Sequence, residues 1–529
     1  MGSFATCGSR QKSDRDSLIY TADRIAHWLL RNQQPDGRIL DPVHRQYGTY
    51  SDGFAALTFG LLYLETAEQI WESACRRSLA ISLKRPITSE FDQLAVLLLA
   101  IHDHGGMFLS NNKIALKLYQ GNRVVSNNWV AMRALNYTLR AGLTGSRADD
   151  EEEATRLWDH VLNWQLPCGL FIDSPGGMAT PVTYHAKFCA TIALALAHTD
   201  NLREELSAAL QQGLNALVKL ISPAGVLVPY GRSRNSLFGY AAAILALSDG
   251  AKLFSQSQYY AAANRLLERL QRFQRPDGHI PAILNNDERT KDDWDVYLNN
   301  PDYNAYAAAL LLLAAEYEIG SGDATPKPDD TEIHQIGDLL TVQRGSLYAA
   351  FATNGQSVPA GTPFFSDYRY YGMQPLWIER NGNVLFQPDA YRWPDEGRQA
   401  DLVDPANHPW IPYLYREGNH YCVRRYDQVT VNHQSNTIEI IGEGQPEYYR
   451  PVARWLRRAT NLLTERHGAV SPRFYPHILD GVRIRRRMLF DVETGRLSGD
   501  TEVIGDLTKG TTLCQSHTEL TAQEDNEKF

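Results

Sequence analysis

One kind of segment recurs six times in the first 320 residues: a short polar or aromatic cluster, then an apolar stretch rich in Ala, Gly and Leu. The copies occupy residues 47–65, 89–101, 126–139, 183–197, 233–247 and 302–317. Each stretch is apolar nearly all round, which marks a helix buried on every side. Their small residues permit close helix approach. Between them lie amphipathic segments at 16–32, 151–164, 202–221 and 259–273. Several end in a turn signal: Gln34-Pro35-Asp36-Gly37, Pro167-Cys168-Gly169, Pro223-Ala224-Gly225 and Pro276-Asp277-Gly278. Short extended pieces such as Arg38-Ile39-Leu40 and His279-Ile280-Pro281 follow most of them. Buried helices alternating with amphipathic ones are what an α/α toroid of six hairpins requires, with outer helices covering an inner ring. A plain helical bundle or solenoid is the alternative.

A different regime starts near Leu339. Alternating β-rich runs take over at 346–353, 376–388, 421–433, 435–442 and 482–493, separated by turns such as Asn381-Gly382-Asn383. They predict a large antiparallel sheet or sandwich, with a helix interrupting it at 450–466. The Pro-, Gly- and Asp-rich piece 321–330 reads as a linker. The expected organisation is a tag-like or disordered 1–14, a catalytic (α/α)6 toroid over 15–320, a linker at 321–332, an antiparallel β domain over 333–518 and a polar tail at 519–529.

In an α/α ring the inner helices run parallel, so their N-termini open on one end. The polar clusters sit at those N-termini and therefore converge on one cleft. Tyr47, Tyr50 and Asp52 come from the first copy, Glu90 and Asp92 from the second, and Asn127, Asn128 and Trp129 from the third. Tyr184 and His185 come from the fourth, Arg232, Arg234, Asn235 and Tyr240 from the fifth, and Asp302, Tyr303 and Asn304 from the sixth. Helix N-termini bring unpaired N–H groups and positive dipole ends to the same rim, which favours anions. Ser89, Ser126, Ser233 and Asp302 have the residue types of N-caps. Capping does not call for Asn127-Asn128, Tyr184-His185 or Arg232-x-Arg234, which point instead to a site. A Tyr hydroxyl beside an imidazole can give one proton and take another. Asn amides can stabilise charge growing on a carboxylate as an enolate forms. Arg adds a bidentate clamp. These are the parts for removing the proton α to a uronate carboxylate and expelling the group at C4, a β-elimination. Trp129, Tyr47, Tyr50, Tyr240 and Tyr303 would offer ring surface to sugars.

Composition bounds the partners. With 52 Lys+Arg against 61 Asp+Glu, the net charge of the 529 residues is −9, which argues against a nucleic-acid backbone as main partner. An anionic glycan must then be held by a local site. Tyr is abundant, 27 against 6 Met, and 10 Trp accompany it. None of the six Cys forms a CxxC pair, and no metal or cofactor is expected. His102-Asp103-His104 is half a metal site at most. The Arg483-Ile484-Arg485-Arg486-Arg487 run reads as a solvated strand face. No run approaches 18 apolar residues, so no membrane span is expected. Met1-Gly2-Ser3-Phe4-Ala5-Thr6 fits the loose myristoylation pattern but lacks the apolar core of a signal peptide. Secretion or a periplasmic location follows if a native signal precedes it, a cytoplasmic one otherwise. Oligomeric state stays open. Nucleophile-elbow, Walker, dinucleotide-binding and zincin motifs are missing. The Gln-x-Pro-Asp-Gly turns faintly resemble those of terpene cyclases, without their acidic cluster.

Taken together, the chain resembles the polysaccharide lyases built from an α/α toroid followed by an antiparallel β domain, such as the alginate, heparin and chondroitin lyase families. Asn127-Asn128 matches their Asn element, with Trp129 where alginate and heparin lyases tend to carry His. Tyr184-His185 is similar to their Tyr-His element, after the Gly-rich approach Gly176-Gly177-Met178-Ala179-Thr180-Pro181. The resemblance implies elimination at a uronic acid, with Tyr184 as acid or as both acid and base. His185, or a β-domain His such as His408 or His420, would be the base. Two alternatives stay open. One is a glycoside hydrolase pairing carboxylates among Asp52, Glu90, Asp92 and Asp302. The other is a carbohydrate-binding protein without chemistry.

Overall fold

The computed structural model describes residues 14–84, 90–109, 126–144, 148–198, 204–284, 299–316, 331–356, 370–387, 410–451, 474–507 and 510–520. Among them, eleven helices precede fifteen strands. The helices are α1 (Asp14–Asn32), α2 (Ser51–Thr66), α3 (Gln69–Lys84), α4 (Glu90–His102), α5 (Asn127–Thr144), α6 (Ala148–Leu162), α7 (Val182–Ala197), α8 (Glu204–Lys219), α9 (Leu237–Phe254), α10 (Ser257–Phe273) and α11 (Asn300–Ala315).

The six repeated segments are α2, α4, α5, α7, α9 and α11. Each packs on the next, and α11 packs back on α2, so they close a ring. In α7 and α11 every residue from Val182 to Leu196 and from Asn300 to Ala315 is buried, as their unbroken apolarity requires. α1, α3, α6, α8 and α10 lie outside the ring, burying one stripe each; α8 buries Leu206, Ala209, Leu210, Leu214 and Leu217. The outer partner expected between α4 and α5 falls outside the described residues.

The turns join hairpin to hairpin. Gln33, Gln165 and Gln274 each donate their side-chain amide to a carbonyl of the following outer helix: Ala74 at 3.0 Å, Ala209 at 2.8 Å and Thr21 at 3.0 Å. The turn glycines press on the same helices. A Cβ on Gly225 would lie 2.0 Å from the Arg265 carbonyl oxygen, and one on Gly278 2.1 Å from that of Arg24. Gly37 and Gly169 repeat the contact at Arg77 and Gln212. The expected extended pieces form single bridges, Gln33 with Ile39, Gln165 with Phe171 and Ile221 with Leu227.

Two local expectations are corrected. Ser233 and Asp302 are not N-caps: Ser236 precedes α9, and Asn299 caps α11 by accepting from the Asp302 N–H at 3.2 Å. Ser126 stands directly before α5, while Ser89 is outside the described residues. α9 is also long and apolar enough to cross a membrane, and most of it is buried inside this fold.

Among the described residues the β region forms three five-stranded antiparallel sheets, where the sequence predicts one large sheet or a sandwich. The first runs in chain order: β1 (Thr331–Ile336), β2 (Leu339–Arg344), β3 (Leu347–Ala352), β4 (Gln374–Arg380) and β5 (Asn383–Phe386). The second orders β11 (Phe474–Ile478), β10 (Glu447–Pro451), β7 (Asn419–Cys422), β6 (Tyr413–Arg416) and β14 (Thr512–Cys514). The third orders β15 (His517–Leu520), β13 (Leu497–Ile504), β12 (Arg483–Asp491), β9 (Thr437–Gly444) and β8 (Gln428–Gln434). Of the helix expected at 450–466, residues 450–451 belong to β10 and the rest are outside the described residues.

The central strands of the first sheet, β2, β3 and β4, are mostly buried on both faces. Leu339, Tyr348, Ala350, Ala352, Leu376 and Trp377 join the core of the helical ring, while Leu340, Val342, Leu347, Ala349, Phe351 and Ile378 join a second core shared with the other two sheets. That explains the unbroken apolar run of β3. Most of the Arg483 to Arg487 run faces solvent paired with acids: Arg483 with Asp427 and Glu443, Arg485 with Glu502, Arg487 with Glu439. Arg486 points inward and is fully buried.

Candidate functional site

The N-terminal turns of the inner helices build an aromatic bowl. Tyr50, at the start of α2, stacks on Phe91 of α4 with centroids 4.7 Å apart and meets Tyr303 of α11 edge-on at 6.1 Å. Phe91 continues to Trp129 of α5 at 6.5 Å. Tyr303 stacks on Phe238 of α9 at 5.2 Å, and Phe238 meets Tyr184 of α7 at 5.5 Å. Phe54 and Tyr306, one turn deeper, touch each other and Phe91. Each of the six inner helices contributes at least one ring.

A polar network occupies the side of the bowl formed by α5, α7 and the loop before α9. Lys187 lies one turn beyond Tyr184, on the same face of α7. Its side chain is buried, its ammonium sits 4.0 Å above the Phe91 ring, and Nζ donates to Asn128 Oδ1 at 2.9 Å. The Asn128 amide donates in turn to Ser126 Oγ and to Asp173 Oδ1, both at 2.6 Å. Asp173 Oδ2 pairs with Arg232. The Arg232 guanidinium lies 3.9 Å over the Tyr184 ring, and its backbone N–H donates to the Tyr370 hydroxyl at 3.1 Å, so the β region reaches this edge. The Tyr184 hydroxyl is 3.3 Å from Ser233 Oγ. Ser233 adopts a positive φ of 56°, which turns its carbonyl to accept from Thr183 Oγ1 at 3.0 Å.

Electrostatics set the lysine apart. Burial pulls Lys187 down from its ordinary 10.5 to about 7; Asp173 and Glu90 oppose that shift and the Arg232 charge adds to it. A lysine near neutrality can accept a proton at physiological pH, and such groups cluster at functional sites. Among the described residues, each carboxylate of the bowl has at least one partner, while Glu90 Oε2 has none. Glu90 Oε1 accepts from Arg133 at 2.6 Å. Asp52 Oδ1 accepts from the Ile39 N–H at 3.0 Å. Asp302 takes the Thr49 N–H and hydroxyl and the Tyr50 N–H, closing the last copy on the first. Burial raises Asp302 to about 6.

The structure brings Tyr184, Arg232, Asn128, Trp129, Tyr50 and Tyr303 together, and it corrects several expected roles. His185 faces the opposite side of α7. Its Nε2 donates to the Gly213 carbonyl at 3.0 Å, its Nδ1 accepts the Phe171 N–H at 3.4 Å, and its ring stacks on Phe171. Burial lowers it to about 4, so it is a neutral core histidine with both nitrogens used, not a base in the cleft. Tyr240 is fully buried with its hydroxyl accepting from the Leu227 N–H, so it is core as well. Asn127 donates to the Ile172 carbonyl and Asn128 spends its amide on Ser126 and Asp173; both hold the loop before α7 rather than presenting donors to a ligand. Asn235 takes a positive φ of 58° and accepts from the Leu284 N–H through its carbonyl, a turn role. Arg234 is buried in the same loop, and Asn304 is buried between Ile280 and Asn300. Tyr47 is exposed beneath the Arg38 guanidinium. His420 packs between Tyr413 and Tyr415 on the second sheet. His408 and the Asp92 side chain lie outside the described residues.

Sequence reasoning missed Lys187, Asp173 and Ser233. Lys187 had a signal: it is the one Lys, Arg, Asp or Glu in α7, three positions from Tyr184. Among the described residues no three His, Cys, Asp or Glu come together as metal ligands.

No protein-family model matches the sequence, and no curated protein does. Solved structures are similar at a distance. One is a possible member of the GH105 family from Salmonella enterica, with 16% identity over 60% of this chain and 99% of that one, at a TM-score of 0.43. Another is a glycosyl hydrolase family 88 protein from Bacteroides vulgatus, with 12% identity over 56% and 98%, at 0.40. A third is the cellobiose 2-epimerase of Spirochaeta thermophila, with 13% identity over 57% and 96%, at 0.45. Likenesses this distant leave the chemistry of the bowl to be read from its own residues.

Proposed function

We propose that this protein is a carbohydrate-active enzyme that cleaves a uronate-containing glycan by β-elimination in the aromatic bowl. The observation that carries the reading is Lys187: a buried amine near neutrality, one helical turn from Tyr184 and linked through Asn128 and Asp173 to Arg232. Aromatic faces from six helices suit stacked sugar rings. Arg232, braced by Asp173, pairs with the substrate carboxylate and stabilises the enolate-like charge. Neutral Lys187 takes the proton α to that carboxylate. The electron pair left behind forms the C4–C5 double bond, and the bond from C4 to the leaving oxygen breaks. Tyr184 gives that oxygen its hydroxyl proton, and Lys187 returns a proton to the phenolate as product departs. Glu90 is tied to Arg133 and Asp173 to Arg232, which supports elimination over a hydrolysis that needs one carboxyl to give a proton and another to activate water or attack.

The test is a panel of uronate polymers, alginate, heparin and chondroitin types among them, followed by ultraviolet absorbance. A conjugated unsaturated uronate is the expected product on at least one. Reducing ends released without that chromophore would overturn elimination in favour of hydrolysis.

A further inference from the structure

A pocket of about 350 Å³ lies away from the bowl, where the outer helices meet the first sheet. That is near the lower end of the roughly 300–1,000 Å³ common for small-molecule sites. α8 supplies Lys219, α10 supplies Gln258 and Arg265, and the sheet supplies Thr341 and Tyr348. Two of its lining residues each carry a buried polar atom with no hydrogen-bond partner among the described residues: Thr341 Oγ1, in a residue only 2% exposed, and Arg265 Nε. Buried polar groups are normally satisfied, and leaving one unpaired costs about 1–3 kcal/mol. Two carboxylates act on the Arg265 charge: Glu268, three positions on in α10 and exposed, and Glu379, which is already held by Ser222, the Ala224 N–H and Trp377; neither satisfies Arg265 Nε. Lys219 and Arg265 are the two Lys or Arg side chains in the pocket's lining, against Glu332, which lies 3.4 Å from His334.

We infer that this pocket is a second binding site, for a small hydroxylated anion of the sugar-acid class. Its carboxylate meets Arg265 and Lys219, and a hydroxyl meets Thr341. The choice of a sugar acid over other hydroxylated anions rests on the uronate reading of the bowl; the pocket itself does not. A ligand there touches the helical ring and the β region at once, so its binding tightens their union.

The experiment titrates glucuronate, glucose and sulfate into the full chain carrying Tyr184→Phe, which removes turnover and leaves the pocket intact. Glucuronate is expected to bind at least tenfold more tightly than either other probe. Thr341→Val is expected to weaken it at least tenfold. Lys219→Met, on the exposed rim, provides the same readout should Thr341→Val fail to fold. Arg232→Met, added to Tyr184→Phe, removes the bowl's own carboxylate contact, and the glucuronate binding that Thr341→Val and Lys219→Met weaken is expected to persist in it. Absence of glucuronate binding, loss of it in Arg232→Met but not in the pocket variants, or sulfate binding equally tightly would each overturn the proposal. Failure of the lyase reading is seen separately, as a missing chromophore on polymers.

Discussion

At the residue scale, Lys187 and His185 lie two positions apart with opposite fates. Successive helical residues are separated by about 100° around the axis, whereas positions three apart share a face. Tyr184 therefore shares the bowl with Lys187, while His185 points to Gly213 and Phe171. Adjacency in sequence suggested a Tyr-His pair; helix geometry replaces it with Tyr-Lys. Lys187→Met is expected to lower kcat by about 10²–10⁴-fold, the usual weight of a general base. In the parent, kcat/KM is expected to rise with pH through about 7, as the amine becomes neutral. Stability gives an independent check. Between about 7 and the ordinary 10.5 the unfolded chain holds more protons at this site than the folded one, so the parent gains stability as pH rises across that window. The melting temperature of Lys187→Met relative to parent should therefore be highest below pH 7 and decline toward pH 10. A pH-independent difference would contradict the buried-lysine assignment. His185→Gln is expected to keep kcat near the parent's while costing about 1–3 kcal/mol for broken core hydrogen bonds. With His185 near 4 rather than 6.5, the unfolded chain binds its proton first as pH falls. The parent thereby loses about 3 kcal/mol by pH 4, and the variant's unfolding curve should lack that loss.

At the element scale, the repeat was legible because a buried helix shows itself as unbroken apolarity and its boundaries as Pro-Gly turns. α1, α6, α8 and α10 fall within a few residues of the expected amphipathic segments. The docking of each turn on the next outer helix was not legible, since it joins residues some forty or more positions apart, such as Gln33 with Ala74 or Gln274 with Thr21. Gly278 tests that contact. Its φ of 101° and the Arg24 carbonyl together exclude a side chain. Gly278→Ala is expected to cost about 2–4 kcal/mol, combining left-handed strain with overpacking. Gly382 has a φ of 77° but open space around it, so Gly382→Ala should cost only about 1–2 kcal/mol. Denaturant unfolding compares them directly, and equal losses would show that the turns do not carry the ring.

At the scale of the whole molecule, the sequence divided the chain into helical and β regions but could not assign strands to sheets. Alternation says which face of a strand is apolar, not which sheet it joins. The apolar runs of β3 and β4 carried a further message, that their sheet is covered on both sides. Because Tyr348, Leu376 and Trp377 complete the core of the helical ring, the two regions are expected to fold together. A fragment spanning 14–320 should aggregate or lack a cooperative melt in calorimetry; a soluble monomer with a sharp transition would contradict the shared core.

Under the proposed elimination, the acidic chain would owe its place for an anion to Arg232 and the converging helix N-termini. The most direct measurement counts products. Purified protein is incubated with a uronate polymer it degrades, and unsaturated chromophores and new reducing ends are quantified in parallel for the parent, Tyr184→Phe and Lys187→Met. Elimination predicts one chromophore for every new reducing end in the parent and neither product from the variants. Reducing ends without chromophores, or variants as active as the parent, would contradict it.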